Sequence, residues 1–341
     1  MQRDALVLSS RERLRRLLLP ATAPRLPLDR LPVLEWASWW DQTIRCWEAE
    51  GLPPGLDSLE LMAHFGLDPL QQFWLAHRHP DCPRPRRHGA GILKTRADYE
   101  HLRPLLLPAD AVDRIGDSLA AVRPSWEAGE TIVWYTLEGF FWWPRELFGI
   151  EDHFFAFYDE PDLYHRICED LLDWQLRMVR ELGRHIQADF MTIAEDLSYN
   201  HGPMLSEALY MEFLHPYYLR LIPEIKRFGT RVFIDSDGDI TRAVPWFLAS
   251  GIEGILPLER QAGVDVAELR RRWPELLLLG AFDKMALLRG PDAVDREFAR
   301  LAPVVRQGRF LPGVDHQTPP GVSMATYRHY VAGLRALNPN L

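Results

Sequence analysis

The chain has 341 residues, 47% of them hydrophobic and 26% charged, with 12 tryptophans and a formal net charge of -9. So many apolar side chains suffice for a large core with an apolar cavity, and they exclude disorder over most of the length. Basic residues cluster only briefly, at Arg84, Arg86, Arg87 and at Arg270, Arg271, Arg272, which excludes the footprint of a nucleic-acid binder.

The cysteines Cys46, Cys82 and Cys168 are widely spaced and form no CxxC pair. They argue against a disulfide framework and a cysteine-rich zinc site, and for a reducing, cytoplasmic compartment. The start Met1-Gln-Arg-Asp4 is charged where a signal peptide needs an apolar core, and no later run is apolar for about 18 residues, so a soluble, unanchored protein is expected.

Residues 1–30 predict a short helix over Arg11 to Leu19 and a proline-bearing linker, acting as a lid or packing arm on a single domain spanning 31–341. A Trp-rich helix is expected over Trp36 to Glu50, followed by a turn at Pro53-Pro-Gly55 and a proline-rich stretch from Pro80 to Pro85. Beyond Thr131, short apolar runs alternate with long amphipathic helical patterns, the signature of βα units and a parallel sheet. The strands are expected at 131–136, 189–194, 231–235, 252–257, 276–280 and 310–313, with two more upstream. A helix over Pro161 to Ile186 carries Leu163, Ile167, Leu171, Leu172, Leu176 and Val179 at helical spacing. With no glycine-rich fingerprint after an early strand, the fold expected is α/β, a (β/α)8 TIM barrel with an N-terminal helical extension.

In such a barrel the reaction centre lies where strands end. Five consecutive strand ends deliver an acid here: Glu195-Asp196, Asp235-Ser-Asp237, Glu259, Asp283-Lys284 and Asp315-His316. Carboxylates crowded in a half-closed mouth repel one another and lose solvent, which raises pKa values and readies a general acid or base. Any one of them can instead simply cap the helix that follows. Asp235 and Asp237 flank a tight turn able to chelate a cation, and His316 sits on a loop stiffened by Pro319-Pro320. Asp235, Asp237, His316 and Glu195 are the expected catalytic residues, and Asp235, Asp237 and His316 the expected ligands of a divalent metal. Substrate contacts are expected from Trp39, Trp40, Trp142, Arg145, Asn200, His201, Glu259 and Asp283. For the tryptophans the competing role is core packing, and for Arg145 a salt bridge to Glu138 or Glu146.

Glu35-Trp36 through Asp41, Gly91 to Lys94, Gly139 to Arg145, Gly202 to Ser206, Asp235 to Gly238, Pro257 to Glu259, Gly280 to Lys284 and Pro312 to His316 follow one another in an order that resembles the uroporphyrinogen decarboxylase-like superfamily. The resemblance implies a (β/α)8 barrel and either decarboxylation or methyl transfer with a corrinoid protein. Two departures stand out. The stretch Leu31 to Asp41 lacks the arginine with which the decarboxylases grip substrate carboxylates, and Asp235-Ser-Asp237 stands where thiol-activating methyltransferases carry His-x-Cys. A metal would therefore be held by hard oxygen ligands. The leading expectation is methyl transfer, or cleavage of a related C–O or C–N bond, on a small organic substrate. A corrinoid protein or tetrahydrofolate is the methyl partner that the resemblance implies. The alternatives are a carboxy-lyase and a non-catalytic ligand-binding barrel.

Overall fold

The computed structural model describes residues 7–75 and 78–339. The charged start at Met1 to Asp4 lies outside the described residues. Seven strands form one parallel sheet: β1 (Leu70–Trp74), β2 (Ile132–Glu138), β3 (Phe190–Ala194), β6 (Arg231–Asp235), β7 (Gly254–Leu256), β8 (Leu277–Phe282) and β9 (Phe310–Val314), ordered as in the sequence. Between β3 and β6 a small hairpin, β4 (Ser198–Tyr199) and β5 (Gly202–Pro203), stands apart from this sheet. Every residue of β2, β8 and β9 is buried, as expected of parallel strands covered on both faces.

The six expected strands are present, with ends shifted by up to two residues. Upstream, a single further strand, β1, is found among the described residues where two were expected. The segment Leu31 to Trp36 lies where the other would run. Asp68, just before β1, donates its amide to the Val33 carbonyl at 2.9 Å, while the Trp36 indole donates to the carbonyl of Val314 in β9 at 2.8 Å. Both edges of the sheet thus meet one stretch of chain, so the sheet curls. The Trp-rich helix begins later than expected, at Asp41, and runs to Ala49. Residues 36–40 are instead irregular and use their indoles for packing and hydrogen bonding.

The N-terminal helix Ser10–Leu17 packs at the end of the sheet where strands begin. Arg11 grips Asp189, just before β3, through bonds of 3.0 Å, and Asp189 also accepts the Val133 amide. The buried Asp68 collects Ser10 Oγ at 2.8 Å, two Arg30 nitrogens at 2.6 Å and the Val33 amide at 2.8 Å. One carboxylate therefore ties the arm, the linker and the edge of the sheet together. Removing one partner of such a buried cluster strands the others in low dielectric. Asp68→Ala is expected to cost about 3 kcal/mol or more in chemical denaturation, and loss of under about 1 kcal/mol would contradict this account.

Candidate active site

The ladder register builds the site. Glu138 pairs with Ala194, Ala194 with Asp235, and Asp235 with Leu256, so four strands end on one level. Side chains alternate along a strand, which places Asp235 on the same face as Phe233, in register with Thr192 and Thr136 on the neighbouring strands. Beyond that level the chain turns back sharply. Asp196 has φ 34°, in the left-handed region, and its Oδ1 accepts the Asp237 amide at 3.0 Å. Gly238 has φ 81°, and a Cβ there would lie 2.6 Å from the Tyr199 backbone, so only glycine lets the acidic turn seat against the hairpin. Asp239 locks this contact by donating its amide to the Tyr199 carbonyl at 2.9 Å.

As a result Asp196, Asp235 and Asp237 each present a carboxylate oxygen within 4.8 Å of the others, a set able to hold a cation. Around them stand Glu259, whose Oε2 accepts the Gly238 amide at 3.0 Å, and Lys284, whose Nζ lies 3.8 Å from Glu259 Oε1. Burial and the charges of Asp196 and Glu259 push Asp237 up to about 7, against the opposing pull of Lys284. Burial, with Asp196 and Asp237, raises Asp235 well above the ordinary carboxylate range. Asp196 is likewise raised by burial, partly offset by the Asp237 amide, Arg145 and His316.

His316 Nε2 lies 3.7 Å from Asp237 Oδ2. Its Nδ1 accepts the Gln317 amide at 2.9 Å, which assigns the proton of the neutral ring to Nε2. Burial lowers its pKa, with Lys284 adding to the effect, which favours the neutral ring beside Asp237. His316, expected from the sequence as a metal ligand, stands beside the three-carboxylate set and is not one of its members. The Trp36 ring meets it edge-on at 6.3 Å.

Other expected residues take different positions. Glu195 is fully enclosed: Oε2 accepts the amides of Phe141 at 3.0 Å and Trp142 at 3.1 Å, and Oε1 accepts the Tyr218 hydroxyl. Burial pushes it up to about 8, despite those bonds. A Cβ on Gly139 would lie 1.7 Å from Glu195 Oε2, so the Gly139 turn wraps the carboxylate. Glu195 therefore shapes the mouth from within the wall. Trp39 packs among Trp47, Phe65 and Tyr327 in the core, and Trp40 is exposed at the start of its helix. Asp283 caps the helix Lys284–Leu288 through the Met285 amide and pairs with Arg289, the capping role that competes with chemistry at any strand end. Asn200 and His201 form the exposed tip of the hairpin, beside Asp239 rather than inside the acid cluster.

Trp142 and Arg145 lie on the helix Trp142–Phe148, with the Arg145 guanidinium over the Trp142 ring at 4.8 Å and its charge acting on Asp196. Glu146, expected as an Arg145 partner, is taken by Arg78 at 2.8 Å. The site residues that the sequence left unassigned are Asp196, Lys284 and Asp315. Asp315 is buried and accepts the amides of Arg260 at 2.8 Å and Lys284 at 3.1 Å, and burial pushes it up to about 6.

A family model, uroporphyrinogen decarboxylase (URO-D), matches residues 93–337. The chain belongs to the uroporphyrinogen decarboxylase family. No curated protein sequence matches it. Among solved structures it is similar in fold to a methyltransferase from Methanosarcina mazei, with 16% identity, TM-score 0.69, and coverage of 96% of this chain and 98% of that one. A Listeria monocytogenes protein described as a putative vitamin-B12-independent methionine synthase matches at 10% identity over 92% of this chain and 98% of that one, but its TM-score of 0.43 carries no argument. Among the described residues no helix is long and apolar enough to cross a membrane.

Glu195→Ala should destabilise this family member by roughly 3 kcal/mol, since two amides and a hydroxyl lose a buried acceptor. Equilibrium unfolding decides it, and a loss below about 1 kcal/mol would remove Glu195 from the scaffold. Asp237 binds its proton more tightly folded than unfolded, so its contribution to stability falls as pH rises from about 4 through about 7. Asp237→Asn should therefore raise Tm relative to wild type by an amount that grows between pH 5 and pH 8 in metal-free buffer. A pH-independent difference would refute the raised carboxyl.

Proposed function

We propose that the protein transfers a methyl group from the oxygen or nitrogen of a small organic substrate, using the acid cluster at the strand ends. The observation that carries this reading is the meeting of Asp196, Asp235 and Asp237 within 4.8 Å, beside a neutral His316 donor. Membership of the URO-D family and the fold shared with the M. mazei methyltransferase support it. In this reading the fold is a (β/α)8 barrel in which residues 31–36 stand in for the eighth strand, and the protein works in the cytoplasm.

The donor set is all oxygen, which fits a hard or borderline divalent cation and not a thiolate-type zinc centre. Asp196, Asp235 and Asp237 would hold such an ion, which would act as a Lewis acid on the departing heteroatom. The chain's own residues perform the rest. Where no ion is held, Asp237, raised to about 7, delivers a proton to the heteroatom as its bond to the methyl carbon breaks, while the neutral His316 Nε2–H donates a hydrogen bond to the developing charge. The methyl group passes to a nucleophilic acceptor, for which a corrinoid protein or tetrahydrofolate is the proposed partner. Glu259, held by Gly238 and Lys284, fixes the acidic turn so that the proton is delivered at one place.

A second reading has its own observation. A carboxyl near pKa 7 is also suited to protonating a ring carbon before loss of carbon dioxide, as a decarboxylase requires. A non-catalytic barrel would not need so many carboxylates raised together.

Purified protein incubated with a panel of aryl methyl ethers and methylamines, with cob(I)alamin as acceptor, is expected to form methylcobalamin. Asp237→Ala is expected to slow this at least about 100-fold with its circular dichroism unchanged. Retained turnover in that variant sinks the assignment, and carbon dioxide release from carboxylated substrates without methyl transfer selects the second reading.

A further inference from the structure

Next to the acid cluster lies a cavity of the opposite charge. It is open to solvent and has a volume of about 700 Å³, within the range of small-molecule sites, and its walls include Arg78, Arg84, Arg87, His88, Trp142 and Arg145. The one carboxylate in its lining, Glu146, is already bound by Arg78. Arg84 and Arg87 make no ion pair among the described residues, and the buried Nε atoms of Arg78 and Arg145 have no hydrogen-bond partner there. An anion entering the cavity would meet the exposed charges of Arg84 and Arg87 and guanidinium donors that lack acceptors.

The arginine-bearing loop is held in place before any ligand arrives. Leu147 accepts the amides of Ile92 at 2.8 Å and Leu93 at 2.9 Å, and Gly89 accepts that of Ile150 at 3.0 Å. Gly91 fits so closely that a Cβ would lie 2.0 Å from the Phe148 carbonyl oxygen. The loop is thereby clamped to both ends of the turn that follows helix Trp142–Phe148. Trp142, Pro80, Pro83 and Ile150 give the cavity flat and apolar walls.

We propose that this cavity binds the anionic end of the substrate, a carboxylate or phosphate on a flat apolar body, and holds its other end toward the acid cluster. Arg145 joins the two regions: it lines the cavity, stacks on Trp142 and acts by its charge on Asp196. The cavity's role as substrate anchor rests on reading the acid cluster as the reaction centre, whereas anion binding itself does not.

Benzoate, phenyl phosphate, inorganic phosphate and neutral benzamide are titrated into the full chain by calorimetry. The two aryl anions should bind at one saturable site and benzamide should not, with the tighter anion naming the headgroup. The exposed pair Arg84→Gln/Arg87→Gln, which leaves the packed core alone, should weaken both aryl anions about tenfold or more, as lost charge-assisted bonds do. Trp142→Leu should weaken the aryl anions while leaving inorganic phosphate unchanged. Equal affinity for benzamide and benzoate, or unaltered binding in the double arginine variant, overturns the proposal. Asp237→Ala should bind benzoate as wild type does. Anion binding with no methyl transfer would then refute the reaction centre and leave the cavity standing, whereas methyl transfer without anion binding would do the reverse.

Discussion

The register of four parallel strands is the constraint on which everything at the mouth depends. Because Glu138, Ala194, Asp235 and Leu256 lie on one level, the turns that follow them emerge together, and acids distant in sequence must share a small volume. A slip by one residue would turn Asp235 to the other face of the sheet and disperse the cluster. Burial at this level raises the carboxyl groups of Asp196, Asp235 and Asp237, and for Asp235 and Asp237 the charges of neighbouring acids add to it. Stability elsewhere sustains that repulsion, above all the enclosed Glu195 and the Asp68 anchor at the far end of the sheet.

Charge is divided between neighbouring compartments. The strand ends gather acids, and the loop after β1 gathers arginines, with the helix Trp142–Phe148 between them. Lys284 and His316 enter the acidic side from β8 and β9, each beside one carboxylate. Side chains of opposite charge are thus sorted to the two sides of one short helix.

Much of the frame was legible because buried parallel strands read as short apolar runs between amphipathic helices, and the expected strands from 131 onward follow that rule. β1 escaped notice since Leu70-Gln-Gln-Phe-Trp74 carries two glutamines and no β-branched residue. The segment 31–36 holds Pro32 and bonds irregularly, so its place between the sheet edges could not be read from pattern. The gathering of acids at the turn Asp235 to Asp239 was legible from the strand end that delivers it. The choice of Asp196 over Glu195 was not, because it depends on a left-handed residue that sends one acid outward while its neighbour is sealed inside. The cap at Asp283 and the core position of Trp39 follow from local bonding and tertiary packing, which residue type alone does not reveal.

The hairpin seated on Gly238 has a mechanical consequence. Its tip exposes Tyr199, Asn200 and His201 to solvent, yet its base is bonded to Asp239 and touches the acidic turn with no room for a side chain between them. Tip and turn therefore meet backbone to backbone. A side chain added at Gly238 would push the hairpin off the acidic turn, so the shape of the rim and the placing of the carboxylates beneath it are set by the same glycine.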